Sequence, residues 1–193
     1  MKKVLSESPL VIIADENYDC SLSINHPIVQ QDLENCHSEK RRKEIIFTRS
    51  LIHQELRIEE LKKDPIGRPT LEKGDVSISH SGSLFGICYH PSKMVGMDIE
   101  IISEKPRRIK SKFQNKSELV FDVSDLEITR LWTLKEAVYK YLSRPGVLFA
   151  EQIWIEKIND ENFKAEYRVN GLVKETIMLR STIFKDHVIS FTI

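Results

Sequence analysis

The stretch Val95-Gly96-Met97-Asp98-Ile99-Glu100-Ile101 constrains the fold more than any other in the chain. Its alternation has the period of a β-strand, with Val95, Met97, Ile99 and Ile101 on one face and Asp98 and Glu100 together on the other. The apolar face demands a core to pack on. The acidic face holds two carboxylates two positions apart, close enough to repel unless each is well solvated or a cation lies between them. Oxygen-only donors suit a hard cation such as Mg²⁺, which keeps part of its water and is often completed by substrate phosphates. Taken by itself, such a pair is more often the solvated face of a half-buried strand, so the rest of the chain decides.

Residues 9–14 (Pro-Leu-Val-Ile-Ile-Ala) predict a short buried strand. Residues 15–36 are mixed and polar, and Pro27 is expected to break any helix there. Ser38 can cap a helix running to about Leu61, with Ile45, Ile46, Ile52 and Leu56 on its apolar side. Arg49 falls one heptad after Arg42, so the two lie about 20° apart on the helix wheel. A fork of guanidinium groups there could hold a phosphate, although an ordinary basic surface explains the same spacing.

Asp64-Pro65-Ile66-Gly67-Arg68-Pro69 is a turn-rich loop. Val76-Ser77-Ile78-Ser79-His80-Ser81-Gly82 then reads as a strand entering a tight turn, where hydroxyls, an imidazole and backbone N–H groups suit an anion. A polar hairpin end is the plainer alternative, and no acid at a recognisable spacing completes a nucleophilic Ser–His pair. Leu84 to Tyr89 and Lys93 to Ile102 read as strands joined at His90-Pro91-Ser92, and Pro106 to Lys112 as a basic connection between two lobes.

Ser124-Asp125-Leu126-Glu127 is a capping box that starts a helix at Asp125 and carries it to about Ser143. Leu131, Leu134, Val138, Tyr141 and Leu142 form its core stripe, with Lys135 towards the apolar edge. Trp132, Glu136 and Lys140 stack on another side. A solvated Glu–Lys pair accounts for that second stripe, but the aromatic at its head argues for a lined cleft. The remainder is β-rich, and Asn170-Gly171 between two apolar runs signals a hairpin.

Composition weakens several classes of function. The 193 residues carry 29 Lys+Arg against 29 Asp+Glu, so no global field directs the chain to nucleic acid or a membrane. A nucleic-acid module built on the Lys40 to Lys43 run also lacks interleaved aromatics. Cys20, Cys36 and Cys88 fit neither a disulfide framework nor a zinc signature, which favours a reducing, cytoplasmic setting. The apolar run Leu10 to Ala14 is far too short for a signal core or a membrane span.

Four segments now stand in one order: Gly67-Arg68-Pro69, Ile78-Ser79-His80-Ser81-Gly82, Gly96-Met97-Asp98-Ile99-Glu100, and Trp132-Thr133-Leu134-Lys135-Glu136-Ala137-Val138-Tyr139-Lys140. The series resembles the 4′-phosphopantetheinyl transferase superfamily, in particular the monomeric two-lobe, surfactin-synthetase-activating type, over roughly residues 38 to 141. The resemblance implies transfer of the phosphopantetheine arm of coenzyme A to a serine of an apo acyl or peptidyl carrier protein, with release of 3′,5′-adenosine bisphosphate. Mg²⁺ would be the metal, with Mn²⁺ as a substitute. It further implies that Asp98, Glu100 and Glu136 are the acidic metal site and that Lys140 meets the pyrophosphate. Arg68, Ser79 and His80 would lie around the adenosine and its 3′-phosphate, and Arg49 and Arg42 would help to hold the nucleotide end. Glu136, or a metal-bound water that it positions, is the candidate base.

The implied fold is α+β: two similar lobes related by a pseudo-twofold, each a small antiparallel sheet packed with a long helix, and the nucleotide in the groove between them. Residues 1–105 would form the first lobe and 106–193 the second. The chain departs from the pattern in having Arg68 where lysine is usual, in lacking a glycine soon after Lys140, and in a short link from Glu118 to Trp132. The competing expectation within the family is a non-catalytic relative that binds coenzyme A or a carrier.

Overall fold

The computed structural model describes residues 1–19, 22, 23, 25–34 and 36–193, so Cys20 lies outside the described residues. The chain divides into two units, Met1–Lys93 and Met94–Ile193. Each combines an antiparallel sheet with one 18-residue helix, which is the α+β architecture expected.

In the first unit the apolar run near the start forms β2 (Leu10–Asp15), which pairs with β1 (Lys2–Glu7). Helix α1 (Pro27–Leu33) follows, then α2 (Glu39–Leu56), the two-residue strands β3 (Lys62–Lys63) and β4 (Pro69–Thr70), β5 (Asp75–Ser81) and β6 (Leu84–His90). The sheet order is β1-β2-β6-β5. Ile12, Val29, Leu51, Ile52, Val76 and Ile87 are among the side chains that fill the core between sheet and helices.

Two expectations fail here for identifiable reasons. Pro27 starts a helix instead of breaking one, because at the first helical position its missing N–H has no partner to lose. Helix α2 begins as predicted, with Ser38 Oγ accepting from Arg41 N–H at 3.3 Å, but it stops at Leu56 rather than near Leu61. Arg57 takes up a left-handed conformation with φ 57° and closes the last turn, and neither glycine nor proline marks that position.

In the second unit β7 (Met97–Ile101) leads into the short helix α3 (Lys105–Arg108), two 3₁₀ turns, α4 (Asp125–Leu142) and the short α5 (Phe149–Gln152). Strands β8 (Ile153–Lys157), β9 (Asn162–Val169), β10 (Leu172–Phe184) and β11 (His187–Thr192) complete it. The order β7-β11-β10-β9-β8 places the chain's last strand directly beside β7. The Asp98–Glu100 strand therefore folds with the second unit. Asn170 and Gly171, with φ of 52° and 75°, turn β9 into β10 as the Asn-Gly signal predicts.

Ser124 Oγ accepts from Glu127 N–H at 3.2 Å, so α4 starts where its capping sequence says, and Ser143 ends it in a left-handed conformation. Leu131, Leu134 and Val138 are fully buried against β8, β9 and β10 residues such as Ile153, Phe163 and Leu179. Among the described residues no helix is long and apolar enough to cross a membrane.

Candidate functional site

The acidic strand of the second unit is held in register by backbone pairing with β11, which sets Asp98 opposite Ser190 and Glu100 opposite Val188. Helix α4 lies on this part of the sheet, and Gly96 is what permits the approach. A Cβ at Gly96 would sit 2.0 Å from the Ala137 carbonyl oxygen and 2.7 Å from the Tyr141 nitrogen, far inside contact distance. The helix is pinned along its axis by a buried hydroxyl chain in which Thr133 Oγ1 lies 2.7 Å from Ser190 Oγ and Ser190 Oγ donates to Ser181 Oγ at 3.0 Å. Glu136, one turn beyond Thr133, and Lys140, two turns beyond it, are thereby presented to the acidic face of β7.

Lys140 Nζ donates to Asp98 Oδ1 at 2.7 Å and to the Met97 carbonyl at 3.0 Å. The Glu136 carboxyl is pushed up to about 7, first by burial and then by the charge of Asp98, with Lys140 pulling it down and Glu100 adding to the rise. Glu136 therefore feels the charges of both Asp98 and Glu100, and the Lys140 ammonium lies among them. A cluster of this kind attracts a cation and, with a cation in place, a phosphorylated ligand.

The rest of the same helical segment has a different task. The Trp132 ring packs against Phe113 and Phe149, at centroid distances of 5.1 and 5.8 Å, instead of heading a cleft. Lys135 is wholly buried and donates to the carbonyls of Phe113, Phe149 and Ile153 at 2.6, 3.1 and 2.7 Å, and it also pairs with buried Glu118 at 2.7 Å. Glu118 in turn accepts from the N–H groups of Asn115 and Ile155. Burial pulls Lys135 down to about 8 against the pull of Glu118, and pushes Glu118 up against the pull of Lys135.

In the first unit the predicted basic residues part company. Arg49 is buried and its guanidinium pairs with Asp32, which also binds Lys63. Burial alone would raise Asp32, but Lys63 and Arg49 outweigh it and hold the carboxyl below its usual range. Arg42 is directed elsewhere: its Nη1 donates to the carbonyls of Leu33 and Cys36, at 3.4 and 3.2 Å. Arg41, which the helix-wheel argument passed over, lies 3.1 Å from His80 Nε2 and pairs with Glu44 at 3.1 Å.

A cavity of about 160 Å³ in this unit is lined by Arg41, Thr48, Arg49, Lys63, Gly67 and His80. Ile45, Pro69 and Ile78 share the wall with Arg41, Arg49 and Lys63, and the three basic side chains favour an anion there. Arg68 pairs with Asp75, and its N–H donates to Asp64 Oδ1 at 2.8 Å, which fixes the loop before β4. Ser79 is buried on β5 and His80 half-buried beside it. Lys63 and Arg41 lacked any motif to mark them, since each gains its meaning only from the fold.

No curated protein matches the chain. A family profile does match, over residues 94–192, a stretch that covers all but the last residue of the second unit and contains Asp98, Glu100, Glu136 and Lys140. With more than half of its length matched, and with the acids and lysine of the matched part gathered at one place, the chain belongs to the 4′-phosphopantetheinyl transferase superfamily.

Proposed function

We propose that the protein transfers the 4′-phosphopantetheine arm of coenzyme A to a serine of an apo acyl or peptidyl carrier protein, as a monomer of the two-lobe, surfactin-synthetase-activating type. The observation that carries this reading is the electrostatic convergence of Asp98, Glu100 and Glu136 on one place beside Lys140, inside the matched region.

The family's metal, Mg²⁺, fits the donor set. The donors are carboxylate oxygens, and burial followed by the neighbouring charge of Asp98 makes a negative Glu136 costly unless a cation offsets it. Asp98, Glu100 and Glu136 would hold the ion, and Mn²⁺ could take the same oxygens. When bound, the metal supplies neutralisation of negative charge on the diphosphate oxygens.

The chain's own groups do the remainder. Lys140 is within reach of Asp98 and would turn its ammonium to the diphosphate, offsetting charge that grows on the leaving group. The serine oxygen attacks the β-phosphorus, a new P–O bond forms, and the bond to the bridging oxygen breaks with its electron pair leaving on 3′,5′-adenosine bisphosphate. Glu136 is the carboxylate to receive the serine proton. The pocket of Arg41, Arg49, Lys63 and His80 would bind the 3′-phosphate end, with Arg68 and Ser79 near the adenosine. Arg42, committed to two backbone carbonyls, would support the helix pair α1–α2 and act on the nucleotide only through it.

The test incubates the protein with coenzyme A, Mg²⁺ and a panel of apo carrier proteins and reads the carrier's mass. A gain equal to one phosphopantetheine is the expected result, lost in Asp98→Ala with the fold retained by circular dichroism. Tight coenzyme A binding without transfer to any carrier would instead favour a non-catalytic, coenzyme A-binding relative. Arg49→Ala should weaken coenzyme A more than 3′-dephospho-coenzyme A, and equal losses would remove Arg49 from the 3′-phosphate.

A further inference from the structure

A second cluster of metal-binding side chains lies in the first unit, among residues that the transferase reading does not use. His26 is the N-cap of α1, His53 sits in the last turn of α2, and Glu59 lies just past the left-handed Arg57 that ends α2. The packing of α1 on α2 brings the three together. The Glu59 carboxylate spans both rings, with Oε2 3.2 Å from His26 Nε2 and Oε1 3.4 Å from His53 Nδ1. The two imidazoles are 4.7 Å apart between centroids. One donor atom from each residue falls within 4.8 Å of the other two.

We infer that His26, His53 and Glu59 form a site for a transition-metal dication of the zinc class, separate from the acidic cluster of the second unit. The spacing supports this. A tetrahedral ion with bonds of 2.0–2.1 Å needs its ligands about 3.3–3.4 Å apart. The Glu59 carboxylate already touches both rings, one oxygen to each, and its side chain, 70% exposed, can turn so that a single oxygen faces the ion together with the two imidazoles. The donor set supports it as well. Two imidazoles and one carboxylate form a borderline-soft combination that selects zinc, cobalt or nickel over magnesium, whereas Asp98, Glu100 and Glu136 offer hard oxygen only.

The surroundings are compatible with a cation. His53 lies at the C-terminal end of an 18-residue helix, where the backbone carbonyls carry partial negative charge. The N-terminus of α1 opposes this, but that helix has seven residues. Metal at His26 Nε2 moves the ring proton to Nδ1 and gives up the bond from Ile28 N–H, which at 3.4 Å is long and weak. Metal at His53 Nδ1 would replace that nitrogen's 3.3 Å contact with the Ile58 carbonyl. With an ion in place, the entrance of α1, the exit of α2 and the residues after it become one cross-linked corner. Three protein ligands leave a fourth position for water, and the cross-link makes stability the property that loading should change.

The experiment uses the full chain, free of any affinity tag, stripped with a chelator and titrated with Co²⁺ in excess Mg²⁺ so that the oxygen cluster is filled. We expect one equivalent of Co²⁺ with the visible absorption of a tetrahedral nitrogen–oxygen site, displacement by Zn²⁺, and a melting temperature that rises by several degrees on loading. His53→Ala and Glu59→Gln should each weaken Co²⁺ at least tenfold and abolish the thermal shift, while their metal-free forms melt as the stripped wild type does. Asp98→Asn should bind Co²⁺ normally. Failure to bind Co²⁺ in excess Mg²⁺ overturns the inference. So does undiminished binding by His53→Ala and Glu59→Gln, and so does loss of binding in Asp98→Asn, which would assign the ion to the acidic cluster.

Discussion

Two lysines on α4 face opposite demands. Lys140 keeps part of its surface open to solvent and reaches Asp98, while Lys135 is sealed in the core by three carbonyls and Glu118. Removing one member of a buried pair leaves the other charged and unpaired, which costs about 3–5 kcal/mol. Lys135→Met should therefore lower the unfolding free energy measured in urea by that amount, and adding Glu118→Gln should restore part of it. Transfer per folded molecule should stay near wild type in both, separating the core role of Lys135 from the chemistry. The sequence placed Lys135 only at the edge of the apolar stripe. Its partners, Phe113, Glu118, Phe149 and Ile153, come from segments whose meeting no periodicity announces. Arg42 and Arg49 illustrate the same limit. Their wheel positions were legible, but not the groups that claim them, Asp32 and the Leu33 carbonyl of α1 and the Cys36 carbonyl just after it.

At the level of elements, the seating of α4 on β7 decides whether Glu136 meets Asp98 and Glu100. Gly96→Ala must push strand and helix apart, because the added carbon would meet backbone atoms that cannot rotate away. We expect a loss of about 1–3 kcal/mol from such overpacking, and a fall in transfer larger than that in Lys135→Met. Thr133→Val leaves the Ser190 hydroxyl short of its α4 partner and should cost about 1–2 kcal/mol, again read from urea unfolding. The bounds of α4 were readable from its capping sequence, and the β9–β10 hairpin from Asn170-Gly171. The end of α2 and the start of α1 were not, since the surroundings impose a left-handed backbone on Arg57, and Pro27 starts a helix as readily as it breaks one.

On the scale of the whole molecule, the family match coincides with the second unit, while the basic pocket and the His26, His53 and Glu59 cluster lie in the first. Acid should reveal the first unit's dependence on Asp32. Its carboxyl is depressed by Lys63 and Arg49, so its contribution to stability is complete above about pH 3.9, the unfolded value, and disappears as pH falls through the lower folded value. Asp32→Asn should flatten the acid limb of stability measured by urea unfolding between pH 6 and 2. The order of strands carries a consequence in time. Gly96 N–H donates to Thr192 Oγ1 and Thr192 N–H to the Gly96 carbonyl, each at 3.0 Å, so β7 gains its neighbour only when β11 arrives. Contacts so distant along the chain close late in folding. A polypeptide that stops before β11 therefore lacks the backbone partner of β7, and with it the pairing that fixes the register of Asp98 and Glu100.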